Sequence, residues 1–398
     1  MDIFDTEVAG HKGVVYSWAS ILDDKTREQA EAISRGPITL GHVALMPDAH
    51  FGLGACVGTA IMTQGGLYPA AVGVDIGCGV EAIQTDILAA DIPMGLRRIL
   101  RGGIEAAIPS GVGKYRTAPH PGYIHFTEAY GPPPDGFEAQ AALQFGTLGS
   151  GNHFVELAGA EDSGLVWILV HSGSRGVGNK LAQRYIGLAK GHTRPNEPLE
   201  NPDLAYLAAS DPEFKAYRSV LHWCQAYARA QRQAMAYEVL DILRGNGISA
   251  YITKYISCHH NYTEEIDNGV YLSRKGAISA ENEQSGVIPG SMGTDTYIVK
   301  GLGNELAYNT APHGAGRVLA RGRRKKNGRS TGAFAALSVD EFKQQMEDRG
   351  VVWQDRKADD LLDEAPLAYK PIEVVMEDAR ELVRPVAKLR QILNYKGL

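Results

Sequence analysis

Histidine, aspartate and cysteine recur in this sequence inside short glycine-rich strings. That composition suits places where backbone, cations and phosphate groups approach one another closely. Gly73-Val74-Asp75-Ile76-Gly77-Cys78-Gly79 sets a carboxylate and a thiol three residues apart, and Gly149-Ser150-Gly151-Asn152-His153-Phe154-Val155-Glu156 sets an imidazole beside an amide and near a carboxylate. His171-Ser172-Gly173-Ser174-Arg175-Gly176, Ser257-Cys258-His259-His260-Asn261-Tyr262 and His313-Gly314-Ala315-Gly316-Arg317 add four more imidazoles. Taken singly each has a plainer reading: a hydrogen-bonded structural histidine, a turn aspartate, a small buried cysteine. Taken together they form a donor set, because mixed Asp, Cys and His ligation suits Zn²⁺ or Mn²⁺ and a thiolate can bridge two cations. These residues point to metal-dependent phosphoryl transfer.

The usual nucleotide-binding strings are missing. No G-x-x-x-x-G-K-[ST] occurs, since Gly113-Lys114 lacks both the upstream glycine and a following Ser or Thr, and no G-x-G-x-x-G follows a strand and opens a helix. The Lys-x-Asp-Gly string of lysine-charging nucleotidyl transferases is absent too. Any nucleotide chemistry here needs another nucleophile.

The elements that must position these groups are partly legible. Leu165–Val170 is a continuous apolar run of strand length that delivers His171 at its end. Val43–Met46, Ala70–Val74 and Thr296–Val299 read as further short strands. From Phe214 to Leu243 apolar residues recur at three-to-four spacing, which predicts an amphipathic helix stopped by Gly245 and Gly247. A last helix is expected from about Ile372 to Leu393, bent or divided at Pro385. Thr117–Gly122, Gly131–Gly136 and the stretch after Arg321 read as loops. Neither an internal repeat nor a low-complexity linker divides the chain, so residues 1–398 are expected to form a single α+β domain with mixed β-sheets flanked by helices.

With 398 residues, 44% hydrophobic and 22% charged, the chain can bury a large core. The four cysteines, Cys56, Cys78, Cys224 and Cys258, have no paired spacing, which argues against a disulfide framework. No window of roughly eighteen apolar residues occurs and the N-terminus begins acidic, so the chain is expected to be cytoplasmic and away from membranes. A net charge of −6 argues against coating nucleic acid through the overall field. Locally the sign reverses: Arg317, Arg321, Arg323, Arg324, Lys325, Lys326 and Arg329 follow one another with no acid between them. Alone, that run reads equally as a solvated loop.

At these strings the sequence closely resembles the RtcB family of RNA ligases, over nearly its whole length. The resemblance also takes in Met46-Pro47-Asp48-Ala49-His50, Arg274-Lys275-Gly276-Ala277, Ile288-Pro289-Gly290-Ser291-Met292-Gly293 and Lys396-Gly397. It implies an RtcB-like fold and an enzyme that joins RNA ends bearing a 2′,3′-cyclic phosphate or 3′-phosphate to 5′-hydroxyl ends, in RNA repair or tRNA splicing, with GTP and two Mn²⁺. Carried over residue by residue, His313 becomes the nucleophile that takes GMP from GTP, and Asp48 orients its ring. Asp75, Cys78, His153, His171 and His260 become metal ligands, with Cys78 bridging. Asn152, Glu156, Asn261, Pro289, Gly290, Ser291, Met292, Thr296, Gly314, Ala315, Gly316 and Lys396 become the guanylate pocket, where Glu156 would accept from guanine N1–H and the amino group. The basic stretch of about 317–331 becomes an RNA-backbone contact, and an archease-like activator becomes a plausible partner.

Three positions depart from the family pattern: Pro312 before the nucleophile, Thr296 where serine is commoner, and Leu398 beyond Lys396-Gly397. They bear on efficiency and substrate range, not on the class of reaction. Two other classes stay open on the residues alone. A metal-dependent RNA phosphodiesterase would use the same donors without GTP. A non-catalytic RNA-binding protein would call for stacking platforms and basic charge, which are lacking here.

Overall fold

The computed structural model describes residues 1–8, 10–192, 199–322 and 330–397. A six-stranded sheet runs in the order Asp2–Val8, His11–Ser17, Thr39–His50, Val57–Gln64, Val270–Lys275, Asn261–Asp267. It is mixed, because His11–Ser17 lies parallel to Thr39–His50 while the other neighbours are antiparallel. A seven-stranded antiparallel sheet runs Ile252–His259, Gly79–Leu88, Leu165–Ser172, Phe154–Ala160, Val383–Lys396, Thr296–Gly301, Ser285–Pro289. The chain crosses from one sheet to the other at His260, the single residue between Ile252–His259 and Asn261–Asp267. Apolar side chains of both sheets share one core, in which Ala44, Met46 and Leu272 of the first meet Ile288, Val299 and Val383 of the second. That shared core makes the α+β chain one domain, with helices on its flanks.

The helix expected from the Phe214–Leu243 periodicity spans Phe214–Gly245, about 48 Å at 1.5 Å per residue. Its apolar face carries Met235, Val239 and Leu243 into a core with Ile83, Ile168 and Val170 of the second sheet. Leu165–Ser172 and Thr296–Gly301 form strands where the sequence expects them.

Two expectations are corrected. Ala70–Val74 is not a strand: Pro69–Val72 is a helical turn, because Pro69 is preorganised for the first helical position. The C-terminal helix ends early, at Asp378, and Val383–Lys396 is instead a fourteen-residue strand inside the second sheet. Pro385 is tolerated there because it pairs with Val299 at a register shift, where the ladder is already interrupted. The first third also holds helices that its strand-like runs conceal. Asp24–Ser34 is one, capped by Asp23 accepting from the Thr26 amide at 3.0 Å, and Met94–Ala107 is another. Among the described residues, no helix is long and apolar enough to cross a membrane.

Candidate active site

Three neighbouring strands of the second sheet deliver donors to one edge. Val80 pairs with His171, and His171 with Phe154, so Cys78, His171 and His153 emerge side by side. Cys78 Sγ lies 3.4 Å from His153 Nε2 and 3.3 Å from His171 Nε2. His171 Nε2 is 3.3 Å from His260 Nε2, and His153 Nε2 is 2.9 Å from Asp75 Oδ2. All five candidate ligands therefore converge, and the donor atoms of Cys78, His153 and His171 lie within 4.8 Å of one another.

The protonation chemistry of this cluster fits a cation. His153 Nδ1 donates to the Leu148 carbonyl at 3.0 Å, which fixes the ring with Nε2 turned toward Cys78 and Asp75. Burial pulls His171 and His260 well below the ordinary imidazole range, so both are neutral. Burial pushes Asp75 up, but His153 and then Arg175 outweigh it and hold the carboxyl below its usual value. The donor atoms of Cys78, His153 and His171 lie close enough together to share one cation, and Asp, Cys and neutral His are the ligand types that hold Zn²⁺ or Mn²⁺.

Beside this cluster stands His313, its ring centroid 4.6 Å from that of His260. Thr310–Pro312 forms a two-stranded ribbon with Ala277–Ser279 and delivers His313 at its end. Asp48, fully buried on Thr39–His50, meets it there. One carboxylate oxygen, Oδ2, accepts from His313 Nδ1 at 2.6 Å, from the His313 amide at 3.0 Å and from the Gly314 amide at 3.2 Å. Nδ1 is therefore the ring nitrogen committed to Asp48, and Nε2 is the one left outside that bond. Gly316, at φ +70°, lies flat on the Asp48 backbone, where a Cβ would collide with the Asp48 carbonyl.

A family model described as "tRNA-splicing ligase RtcB" matches residues 29–129 and 133–397. RNA-splicing ligase RtcB1 of Escherichia coli is 37% identical over 405 residues, covering 94% of this chain and 95% of its own. RNA-splicing ligase RtcB of Escherichia coli K12 is 36% identical with the same coverage, and tRNA-splicing ligase RtcB of Nanoarchaeum equitans is 27% identical over 94% of this chain and 92% of its own. The chain belongs to the RtcB family.

In this RtcB-family chain a cleft of about 360 Å³ joins His313 to the donor cluster. Asn152, Asn261, Pro289, Gly290, Ser291, Gly314, Ala315, Gly316 and Lys396 line it, as do Asp75, Cys78, His171 and His260. His153 and Asp48 stand behind that wall and act on it through Asp75 and His313. Some of the pocket residues are already engaged. Asn261 donates to the Asp75 carbonyl at 3.2 Å and accepts from the Gly276 amide at 2.8 Å, and the Gly314 amide is committed to Asp48. Lys396 Nζ pairs with Glu364 at 3.1 Å and lies over the Phe154 ring. Met292, Thr296 and Glu156 do not line the cleft. Met292 packs into a separate core with Phe342 and Met346, and Thr296 Oγ1 lies 3.5 Å from Glu156 Oε1 in the buried layer behind Phe154.

Of the basic run, residues 323–329 lie outside the described residues. Arg317 and Arg321 are described, and both are tied down: Arg317 to Asp363 at 2.8 Å, Arg321 to Glu364 at 2.8 Å and to Asp363 at 3.2 Å. Burial pushes Glu364 up, but Lys396, Arg321 and Arg317 bring it down to about 2. These two arginines buttress the cleft wall, a role that a count of basic residues does not reveal.

Sequence reasoning also missed two buried lysines. Lys275 Nζ donates to the carbonyls of Leu53, Ala55 and Ala70 at 2.5, 2.8 and 3.0 Å, fixing one rim of the cleft. Lys370 Nζ donates to Ile21, Pro47 and Ala49 at 2.6, 2.9 and 2.7 Å, and its amide donates to Gly316. It thus clasps the backbone on both sides of Asp48. The string Arg274-Lys275-Gly276 was a signal for the first; nothing in the sequence marks the second.

Proposed function

We propose that this chain is a GTP-dependent RNA ligase that joins 2′,3′-cyclic phosphate or 3′-phosphate RNA ends to 5′-hydroxyl ends through a guanylylated His313. The observation that carries the reading is the juxtaposition of His313, held by Asp48, with the five-donor cluster. A phosphodiesterase working through bound water alone has no use for a buried carboxylate that frees His313 Nε2.

In the first step His313 Nε2 attacks the α-phosphorus of GTP. The N–P bond forms, the bond to the bridging oxygen breaks, and pyrophosphate leaves. Asp48 keeps the proton on Nδ1 and its charge offsets the positive charge that develops on the ring. After any cyclic phosphate has been opened by water to a 3′-phosphate, a phosphate oxygen of the RNA attacks the same phosphorus, returns the electron pair to Nε2 and leaves RNA-3′-ppG. The 5′-hydroxyl then attacks the 3′-phosphorus and GMP departs. Asp75, Cys78, His153, His171 and His260 would hold two Mn²⁺, which would neutralise phosphate charge and polarise its oxygens.

For the base, the reading assigns Glu156, which lies buried against Thr296 behind the lining of the cleft, to the guanine N1–H and amino group, and assigns Asn152, Asn261, Pro289 to Met292, Thr296, Gly314 to Gly316 and Lys396 to the rest of the guanylate. Burial pushes the Glu156 carboxyl up to about 8, against the pull of Lys396. Guanine needs the anion, which accepts two hydrogen bonds, so binding must expel the proton at neutral pH. KM for GTP is therefore expected to fall by up to about tenfold per pH unit as pH rises toward 8, and to level off above it. Glu156→Gln should remove that slope and weaken preference for GTP over ATP. A slope unchanged in the variant would detach Glu156 from the base.

The basic stretch at 317–331 is proposed as the RNA-backbone contact, through the residues beyond Arg321. Arg323→Ala with Arg324→Ala is expected to weaken RNA binding and flatten its salt dependence by a slope of about 1 to 2, while guanylylation is retained. Ligation unchanged across a salt series in that variant would end this part of the proposal.

The function itself is tested with two RNA strands, one ending in a 2′,3′-cyclic phosphate and one beginning with a 5′-hydroxyl, incubated with the protein and MnCl₂. Ligated product that requires GTP supports the proposal. Opening of the cyclic phosphate without GTP and with no joining would point to the phosphodiesterase. The same assay with and without an archease-like protein decides whether an activator is needed.

A further inference from the structure

Behind the donor cluster lies a buried cation that no motif announces. Arg232 projects from the long helix Phe214–Gly245 and is wholly inaccessible to solvent. One guanidinium nitrogen, Nη1, donates to the Gly77 carbonyl at 2.8 Å and to the Ser172 carbonyl at 3.0 Å. The other, Nη2, lies 3.4 Å from His259 Nδ1, and that nitrogen is 2.9 Å from the same Gly77 carbonyl. Gly77 precedes Cys78, Ser172 follows His171, and His259 precedes His260. A single planar group thus touches the chain neighbours of three donors that lie far apart in sequence.

The β-ladder holds the three strands in register as far as Gly79, which pairs with Ser172 and with His259, and the rigid guanidinium fork ties their ends together one step further, at the Gly77 carbonyl outside the ladder. Glu81 stands behind the fork, with Oε2 3.7 Å from Arg232 Nε, beyond hydrogen-bond reach, and accepting from Ser257 Oγ at 2.9 Å. Both side chains are fully buried and neither lines the cleft, so neither meets GTP or RNA there. Burying a guanidinium is costly, and a carboxyl placed this loosely beside it adds little net stability. Their placement is explained by what Arg232 orients.

We infer that Arg232 is a positioning residue that sets the spacing of Cys78, His171 and His260 for divalent cations. This rests on the reading that those donors bind such cations. The inference has a sign that bare electrostatics does not share. A guanidinium repels a nearby cation, so charge alone predicts tighter metal binding when Arg232 is removed. Positioning predicts weaker binding.

The test is calorimetric titration of MnCl₂ alone into the purified, metal-free full chain, with circular dichroism and thermal unfolding as controls for folding. Arg232→Met with Glu81→Gln removes the guanidinium and the carboxyl together. Arg232→Lys keeps the charge and loses the fork, and it decides the matter if the double variant does not fold. Both variants are expected to bind Mn²⁺ about 10- to 100-fold more weakly than the unaltered protein. Equal or tighter binding in a folded double variant overturns the inference, and so does full affinity in Arg232→Lys. If the unaltered protein binds no Mn²⁺, the cation reading itself fails and this inference falls with it.

Discussion

Asp48→Ala is expected to slow formation of the guanylylated protein by about 10³- to 10⁴-fold, the scale seen when a histidine loses the carboxylate that fixes its tautomer. Three donors converge on the single oxygen Oδ2: His313 Nδ1–H and the amides of His313 and Gly314. Alanine orphans all three in a buried setting, at about 1–3 kcal/mol for each unsatisfied group. The ring is then free to turn and to present a protonated nitrogen to GTP. Asp48→Asn separates geometry from charge. Its carbonyl can take the place of Oδ2 and keep the three bonds, but its amide must sit where Oδ1 now lies, a buried position with no partner. With the negative charge lost and the tautomer retained, a smaller fall of about 10²- to 10³-fold is expected. Single-turnover labelling by GTP, with folding checked in parallel, measures both. Two variants that label at nearly the rate of the unaltered protein would show that His313 does not depend on Asp48.

Cys78→Ser is expected to lower Mn²⁺ affinity at least about 100-fold and to abolish ligation. Cys78 is the hub of the donor set, within 3.4 Å of both His153 Nε2 and His171 Nε2. Burial and then the Asp75 charge push its thiol well above the ordinary range, so cation capture must expel a proton. Metal affinity should therefore rise with pH throughout the neutral range, because the proton-bound form competes with the metal. Serine keeps the shape but is far harder to deprotonate, so it is a poor ligand in place of a thiolate. Titrating MnCl₂ at several pH values tests the sign, and Co²⁺ substitution gives a second readout, a thiolate-to-cobalt absorption band that the serine variant should lack. Affinity that falls with rising pH, or a variant with full affinity and the band intact, would remove Cys78 from the metal site.

How much of this could be read from the sequence differs by residue. Leu165–Ser172 could be read as a strand because it is an apolar run that stops at His171, and Phe214–Gly245 as a helix because its period is sustained over many turns. Val383–Lys396 could not, since its apolar residues follow no strict alternation and Pro385 argued for a bent helix; pairing on both sides with distant strands decided it. The donors stood out as types, through their glycine settings. That Asp48 would meet His313, 265 positions away, came from the family resemblance, because no local pattern encodes it. The buried charges that hold the site were the least legible. Lys370 and Arg232 sit in ordinary helical or loop sequence, and only their carbonyl partners reveal their roles. That the arginines at the start of the basic run pair with Asp363 and Glu364 was not legible either, because those partners lie far along the chain.

The central claim is that His313 carries GMP. The most direct measurement incubates the purified protein with α-³²P-labelled GTP and MnCl₂, resolves it on a denaturing gel, and repeats the experiment with His313→Ala. A protein-bound label that is lost in acid, kept in alkali and absent from the variant is the expected result, the signature of a phosphoramidate at that histidine. No label with Mn²⁺, Zn²⁺ or Co²⁺, even with an activator added, or a label that persists in His313→Ala, would contradict it.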